Sequence, residues 1–227
     1  MEKIQIAIDG PSGAGKSTVA RRVAKELGYT YVDTGALYRA VGLFMYHHGI
    51  DPEDEAAVTA ALVDIHVDLS YDADGVQQVF LNGVCVSDAI RHNDISRYAS
   101  CVSAFPAVRD FLLDTQRALA KRFSVVMDGR DIGTVIFPQA KVKIFLFASP
   151  EQRAKRRAAD LEARGQKVDV AQLLVQMQER DTRDMQRTIA PAVPAPDAVL
   201  LDSSSLNFEQ TVSAVLAIVR ERSERDI

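Results

Sequence analysis

Residues 10 to 17, Gly10-Pro11-Ser12-Gly13-Ala14-Gly15-Lys16-Ser17, fill the pattern G-x-x-x-x-G-K-[ST]. In that pattern glycines let backbone N–H groups curl around phosphate oxygens, a lysine reaches the β- and γ-phosphates, and a hydroxyl faces Mg²⁺. The flanks agree: apolar Ile4-Gln5-Ile6-Ala7-Ile8 precedes the loop, and Thr18-Val19-Ala20-Arg21-Arg22-Val23-Ala24 follows with helical spacing. A strand, a glycine loop and a helix N-terminus in that order make a phosphate-binding site, because the helix end adds positive potential. The chain is expected to bind ATP through Gly10, Pro11, Ser12, Gly13, Ala14, Gly15, Lys16, Ser17 and Thr18, with Ser17 on the metal.

Such loops serve GTPases, transport and helicase ATPases, and small-molecule kinases. The guanine-reading Asn-Lys-x-Asp segment is absent from the sequence. The strand Val125-Val126-Met127 ends in Asp128-Gly129-Arg130-Asp131 and not in the Asp-Glu that positions a hydrolytic water. An arginine there suits a second phosphate, gripped by a planar guanidinium fork, and a bound acceptor phosphate means a kinase. Arg39, shortly after the second predicted strand, is a further donor. The run 151–187 carries Arg153, Lys155, Arg156, Arg157, Arg164, Arg180, Arg183 and Arg187 among acidic residues. Each arginine alone fits a solvated helix face as well as a phosphate contact, but the segment as a whole reads as a lid.

The elements that must position these residues alternate. Short apolar runs at Ile4–Ile8, Tyr29–Val32, Val125–Met127, Val142–Phe147 and Val199–Leu201 predict parallel strands. Helical patterns at 17–27, 35–47, 106–122, 150–164, 169–186 and 207–222 lie between them, the last announced by a capping stretch at Ser203-Ser204-Ser205. That alternation predicts an α/β fold, a doubly wound five-stranded parallel sheet with helices on both faces. One segment departs from it. Asp74-Gly75 and Asn82-Gly83 are two-residue hairpin signals between β-rich runs, so about 66–87 reads as a three-stranded antiparallel meander. The expected organisation is one kinase domain with core 1–63, 93–150 and 188–227, an insert at 64–92 and a lid at 151–187.

The 227 residues are 47% hydrophobic and 26% charged, an ordinary globular composition. A net charge of -4 argues against a nucleic-acid binder. No apolar run approaches the roughly 18 residues that span a bilayer. Met1 leads almost directly into the first strand, so no signal peptide and a cytoplasmic location are expected. Cys85 and Cys101 lack metal spacing and are expected to be buried free thiols. His47, His48, His66 and His92 form no ligand or triad spacing.

The combination of Asp9-Gly10-Pro11-Ser12-Gly13-Ala14-Gly15-Lys16, Asp33-Thr34-Gly35-Ala36-Leu37-Tyr38-Arg39 and Asp128-Gly129-Arg130-Asp131-Ile132-Gly133-Thr134 resembles the bacterial cytidylate kinase family. So do Lys143-Ile144-Phe145-Leu146 and Glu179-Arg180-Asp181-Thr182-Arg183-Asp184, with Ala190-Pro191 following. The resemblance covers essentially the whole chain, and it implies transfer of the ATP γ-phosphoryl to CMP or dCMP by a monomer. It assigns the acceptor phosphate to Arg39 and Arg130 with Thr34 as a hydroxyl donor, a position where family members often carry Ser. It assigns the base to Ser100, Arg109 and Asp131, and the sugar to Asp184 and Arg180 with Tyr38, Arg187 touching sugar or phosphate. Lys16 and the lid arginines Arg153, Arg157 and Arg183 would meet the transferring charge, and Mg²⁺ would arrive with ATP, held by Ser17 with Asp33 or Asp128 through water. Blander roles stay open: a surface arginine for Arg39, a structural ion pair for Arg130, a turn or cap for Ser100, an i,i+4 partner of Arg180 for Asp184. Kinases of UMP, AMP or shikimate are the near alternatives, and a nucleotide-binding regulatory module is the distant one.

Overall fold

The computed structural model describes residues 3–163 and 165–224, so Arg164 of the arginine-rich run lies outside the described residues. The first part of the chain forms β1 (Gln5–Asp9), α1 (Lys16–Leu27), β2 (Thr30–Asp33), α2 (Thr34–His47) and α3 (Glu55–Ala61). Then come β3 (Val67–Tyr71), β4 (Gln77–Leu81), β5 (Val84–Cys85), α4 (Asn93–Val102) and α5 (Pro106–Arg122). The remainder is β6 (Val125–Gly129), β7 (Val142–Phe147), α6 (Pro150–Glu162), α7 (Val170–Gln186), β8 (Val199–Asp202) and α8 (Phe208–Glu224).

The large sheet has strand order β2-β6-β1-β7-β8 with every pair parallel, the doubly wound arrangement expected. Continuous apolar runs form its central strands because both faces are covered. On one face Ile6, Ile8, Val126 and Ile144 pack with Val19 and Val23 of α1 and Val212 and Val215 of α8. On the other, Ala7, Val32, Val125 and Met127 pack with Ala120 of α5 and the turn Ile132–Ile136. A third cluster joins α2, α4 and α5 to the antiparallel insert through Leu37, Val41, Ile95, Leu112, Val79 and Leu81.

The insert pairs antiparallel in the order β3-β4-β5. Asn82 (φ 49°) and Gly83 (φ 81°) supply the left-handed turn that their type predicts. The β3–β4 connection is not a two-residue turn at Asp74-Gly75. It spans 72–76, where the Asp72 carboxylate accepts from the N–H groups of Asp74 (3.0 Å) and Val76 (2.9 Å).

Three other expectations change. α3 and α4 fall in stretches where no helix is expected from the pattern. α3 is short and capped by Asp54, which accepts from Ala57 N–H at 3.0 Å. α4 has no side-chain cap, and tertiary contact sustains it: a Cβ on Gly42 of α2 would lie 2.9 Å from Ala99 N, so the two helices meet almost backbone to backbone. α8 is not capped by the serines; Asn207 and Gln210 form a reciprocal box, each accepting the other's N–H at 2.9 Å. Ser203 is instead buried, its Oγ donating to Phe147 O at 3.0 Å. Cys101 is a buried free thiol as expected, but Cys85 faces solvent on the short edge strand β5. The four histidines are exposed.

Candidate active site

Parallel register brings the carboxyl ends of three strands abreast: Asp9 of β1 lies opposite Gly129, and Asp33 of β2 opposite Asp128 of β6. The glycine loop closes over this edge. Gly10 has φ +145°, and a Cβ there would stand 2.0 Å from Leu146 O of β7, so only glycine fits. α1 begins at Gly15 with no acidic residue in its first turn, which leaves the positive end of the helix uncompensated.

Lys16 is buried and donates from Nζ to Pro11 O at 2.7 Å. Burial, then the nearby Arg130, pull its ammonium down to about 7. Ser17 Oγ donates to Asp128 Oδ2 at 2.7 Å, and the Tyr31 hydroxyl donates to Asp128 Oδ1 at 2.8 Å. Burial, reinforced by Asp33, lifts Asp128 to about 6. Asp9, also buried, accepts from Ile132 N–H and Gly133 N–H at 2.8 Å each, and burial outweighs those bonds to lift it to about 7. Asp9 thereby ties the strand that enters the loop to the turn that follows Arg130 and Asp131.

A cleft of about 1430 Å³ runs from the glycine loop and the N-terminal turn of α1 to the residues around Arg109. Ser12 to Thr18 line it together with Thr34, Tyr38, Arg39, Ser100, Arg109, Arg130, Asp131, Arg180, Asp184 and Arg187, and Arg130 and Arg180 lie near enough to Lys16 to add to burial in lowering its pKa. Gly10 and Pro11 stand behind the loop and not in the cleft wall.

The residues around Arg109 and Asp184 form a buried network of arginines and carboxylates. Arg109 Nη2 pairs with Asp131 Oδ2 while its Nη1 donates to Ser103 O at 2.9 Å. Arg187 Nη2 lies 3.8 Å from Asp131 Oδ1. Asp184 accepts from Arg130 Nε (3.1 Å) and from Ser100 Oγ (3.2 Å), with Arg180 Nε 3.9 Å away. Burial pushes the Asp184 carboxyl up, but Arg130, Arg180 and Arg187 together hold it below its ordinary value. Burial, then Arg130, lower Arg180 to about 10. Ser100 is therefore neither a cap nor a turn residue; it sits inside α4 with its hydroxyl on Asp184.

Arg180 Nε and Arg187 Nη2 line the cleft without a hydrogen-bond acceptor among the described residues, and two further donors there lack even an ion-pair contact. Arg39 has no hydrogen-bond or ion-pair partner among the described residues, and burial lowers its pKa. The Tyr38 hydroxyl is likewise unpartnered, while its ring lies under the Arg109 guanidinium at 5.6 Å. That contact sets Tyr38 beside the Arg109–Asp131 pair. Thr34 Oγ1 donates to Asp128 O at 2.9 Å.

In the arginine-rich region Arg157 and Arg183 line the cleft, Arg183 donating to Cys101 Sγ at 3.5 Å. Arg153 is not among the residues lining the cleft. It is buried, donating to Ala148 O (3.0 Å) and Ser12 O (2.9 Å) and pairing with Asp181 at 2.5 Å. Arg156, not singled out in the sequence, lines the cleft and bridges Ala14 O (3.3 Å) to Ser203 O (2.6 Å). Nothing in a run of alternating charges marks which arginine turns inward.

A family model described as cytidylate kinase matches residues 6–221. The chain belongs to the cytidylate kinase family. It is 49% identical to a cytidylate kinase of Pelotomaculum thermopropionicum over 94% of this chain and 95% of the relative. It is 48% identical to a cytidylate kinase of Caldicellulosiruptor bescii over 96% of each. A bifunctional pantoate ligase/cytidylate kinase of Synechococcus sp. WH7803 is 48% identical over 98% of this chain, which spans 46% of that longer protein. A solved structure of an uncharacterised Eubacterium ventriosum protein shares the fold with TM-score 0.52 at 14% identity, covering 98% of this chain and 100% of the other. As a member of the cytidylate kinase family, the chain is a nucleoside monophosphate kinase.

Proposed function

We propose that this kinase transfers the γ-phosphoryl group of ATP to CMP and dCMP, giving ADP and CDP or dCDP. The observation that carries the reading is one cleft lined by the phosphate loop, by a buried Arg109–Asp131 pair, and by Arg39 and Arg130. Arg39 and Arg130 grip the acceptor phosphate, since guanidinium forks fit phosphate oxygens and stay charged at any working pH. Asp131 accepts from the exocyclic amino group of cytosine, and Arg109 donates to the ring nitrogen and carbonyl. Uracil would set a carbonyl against the Asp131 carboxylate and leave both unpaired in a buried place, which is a strong ground for rejection. Tyr38 closes the base pocket beside Arg109, and Asp184, with Arg180, takes a sugar hydroxyl.

The acceptor phosphate is already ionised, so the transfer needs no general base and rests on alignment and charge. Lys16 leaves Pro11 O for the β- and γ-phosphates, and the anion restores its proton. Arg157 and Arg183 meet the charge on the transferring group. Ser17 Oγ with the Asp128 and Asp33 carboxylates is a hard-oxygen donor set that suits Mg²⁺, and these three residues would hold it. When bound, Mg²⁺ neutralises charge on the phosphate oxygens. The segments 64–92 and 151–187 close over the nucleotides and exclude water, so that ATP is not hydrolysed without an acceptor. The kinase works as a cytoplasmic monomer.

ADP release with Mg-ATP, measured against CMP, dCMP, UMP, AMP and GMP, tests the reading. Turnover concentrated on CMP and dCMP is expected. Equal turnover of UMP would overturn the pairing of Asp131 with the amino group.

A further inference from the structure

Two carboxylates one helical turn apart on α7 reach the two ends of the cleft. Asp181 Oδ1 accepts from Ser12 N–H of the phosphate loop at 3.3 Å, and its Oδ2 pairs with Arg153, which in turn donates to Ser12 O. Both backbone groups of Ser12 are thus held by one ion pair spanning α6 and α7. Three residues on, Asp184 holds Arg130 and Ser100 of the acceptor end. Positions three apart share a helix face, so both grips move with one rigid turn. α7 also packs on the loop: a Cβ on Gly13 would stand 2.7 Å from Met177 Cε, and Met177 is buried. Arg153 and Asp184 are each 5% exposed, so water competes little for these bonds.

Each substrate competes with one of these carboxylates. Ser12 N–H is a loop donor that a nucleotide phosphate would claim from Asp181, and Arg130 is a donor that an acceptor phosphate would claim from Asp184. Coupling between sites requires an element that both bias, and α7 meets that requirement by bonding to both. We propose that α7 couples the two ends of the cleft, with Asp181 and Arg153 as positioning residues through which occupancy of one end raises affinity at the other. The acceptor phosphate draws Arg130 from Asp184, α7 relaxes, and Asp181 releases the Ser12 N–H to the donor nucleotide. Linkage demands that the factor be the same in both directions.

The inference rests on ATP and CMP as the two ligands. Calorimetric titration of the kinase with CMP, alone and with saturating Mg²⁺ and a non-hydrolysable ATP analogue, measures the factor, and the reverse titration checks its reciprocity. CMP affinity is expected to rise about fivefold or more in the presence of the analogue. The near-isosteric D181N should reduce that factor below about twofold. R153K, which keeps the charge but loses the fork, should reduce it from the other side of the same ion pair. A factor unchanged in both variants, or independent binding in the unmodified kinase, would overturn the coupling alone. Failure of the unmodified kinase to bind CMP would overturn the acceptor assignment and the coupling with it.

Discussion

The donor end of the cleft is made largely of backbone from one contiguous segment, whereas the acceptor end is made of side chains gathered from five. At the donor end Ser12 to Ser17 and the N-terminus of α1 present N–H groups, and glycines at positions 10 and 13 stand where a Cβ would collide. At the acceptor end Arg39, Ser100, Arg109, Asp131 and Asp184 come from α2, α4, α5, the turn after β6 and α7, and each is fixed by another polar or charged group or left open to the cleft. Backbone donors recognise any phosphate. Side-chain forks and carboxylates choose among acceptors. Damage to the first should stop chemistry with every acceptor, and damage to the second should change which acceptor is used.

The largest effect is expected from K16M, which removes the buried ammonium from the γ-phosphate. Its kcat should fall on the order of 10³-fold, the scale of losing a preorganised charge donor. CMP affinity measured by titration should stay within a few-fold, and a large loss there would blur the distinction between the ends. R130M cuts the acceptor end. The kcat/KM for CMP should fall by about 10²-fold while the affinity for an ATP analogue measured without CMP changes little, since a charge-assisted phosphate contact to the acceptor is lost. An equal loss of analogue affinity in the absence of CMP would instead place Arg130 on the donor.

The smallest effect is on stability. Asp9 and Asp128, held at about 7 and about 6, keep protons that the unfolded chain has released. Stability should therefore fall as pH rises from about 5 to about 7, as each carboxylate loses its proton in the folded chain. Above that window the sign reverses, because Lys16, lowered to about 7, has lost a proton that the unfolded chain still binds. Urea midpoints across the range check this, and D9N should flatten the lower limb. A midpoint that rises from about pH 5 to about pH 7 would contradict it.

The same contrast governs what could be read from the sequence. The five strands and the glycine loop declare themselves through local apolar runs and contiguous spacing. The acceptor arginines and carboxylates are visible as residue types in motifs, but not their partners. Ser12 and Asp181 are 169 residues apart in the chain, and Asp9 and Ile132 are 123 apart, so no spacing rule connects them. Arg153 illustrates the cost: in a charged run it looks like any lid arginine, and only the packing of α7 on the loop reveals it as a structural tie. α4 was invisible for a related reason, since its stability comes from contact with Gly42 and not from a cap. Cys85 is exposed because it lies on β5, a two-residue strand at the edge of the small sheet.

The most direct test of the account is the ratio of kcat/KM for CMP to that for UMP, in the unmodified kinase and in D131N. The account predicts a preference for CMP of at least about 10- to 100-fold, as expected when a buried polar group left unpaired costs about 1–3 kcal/mol. In D131N, whose amide can donate to a uracil carbonyl, that ratio should collapse toward one. A preference for CMP that survives intact in D131N would contradict the assignment of base recognition to the Arg109–Asp131 pair.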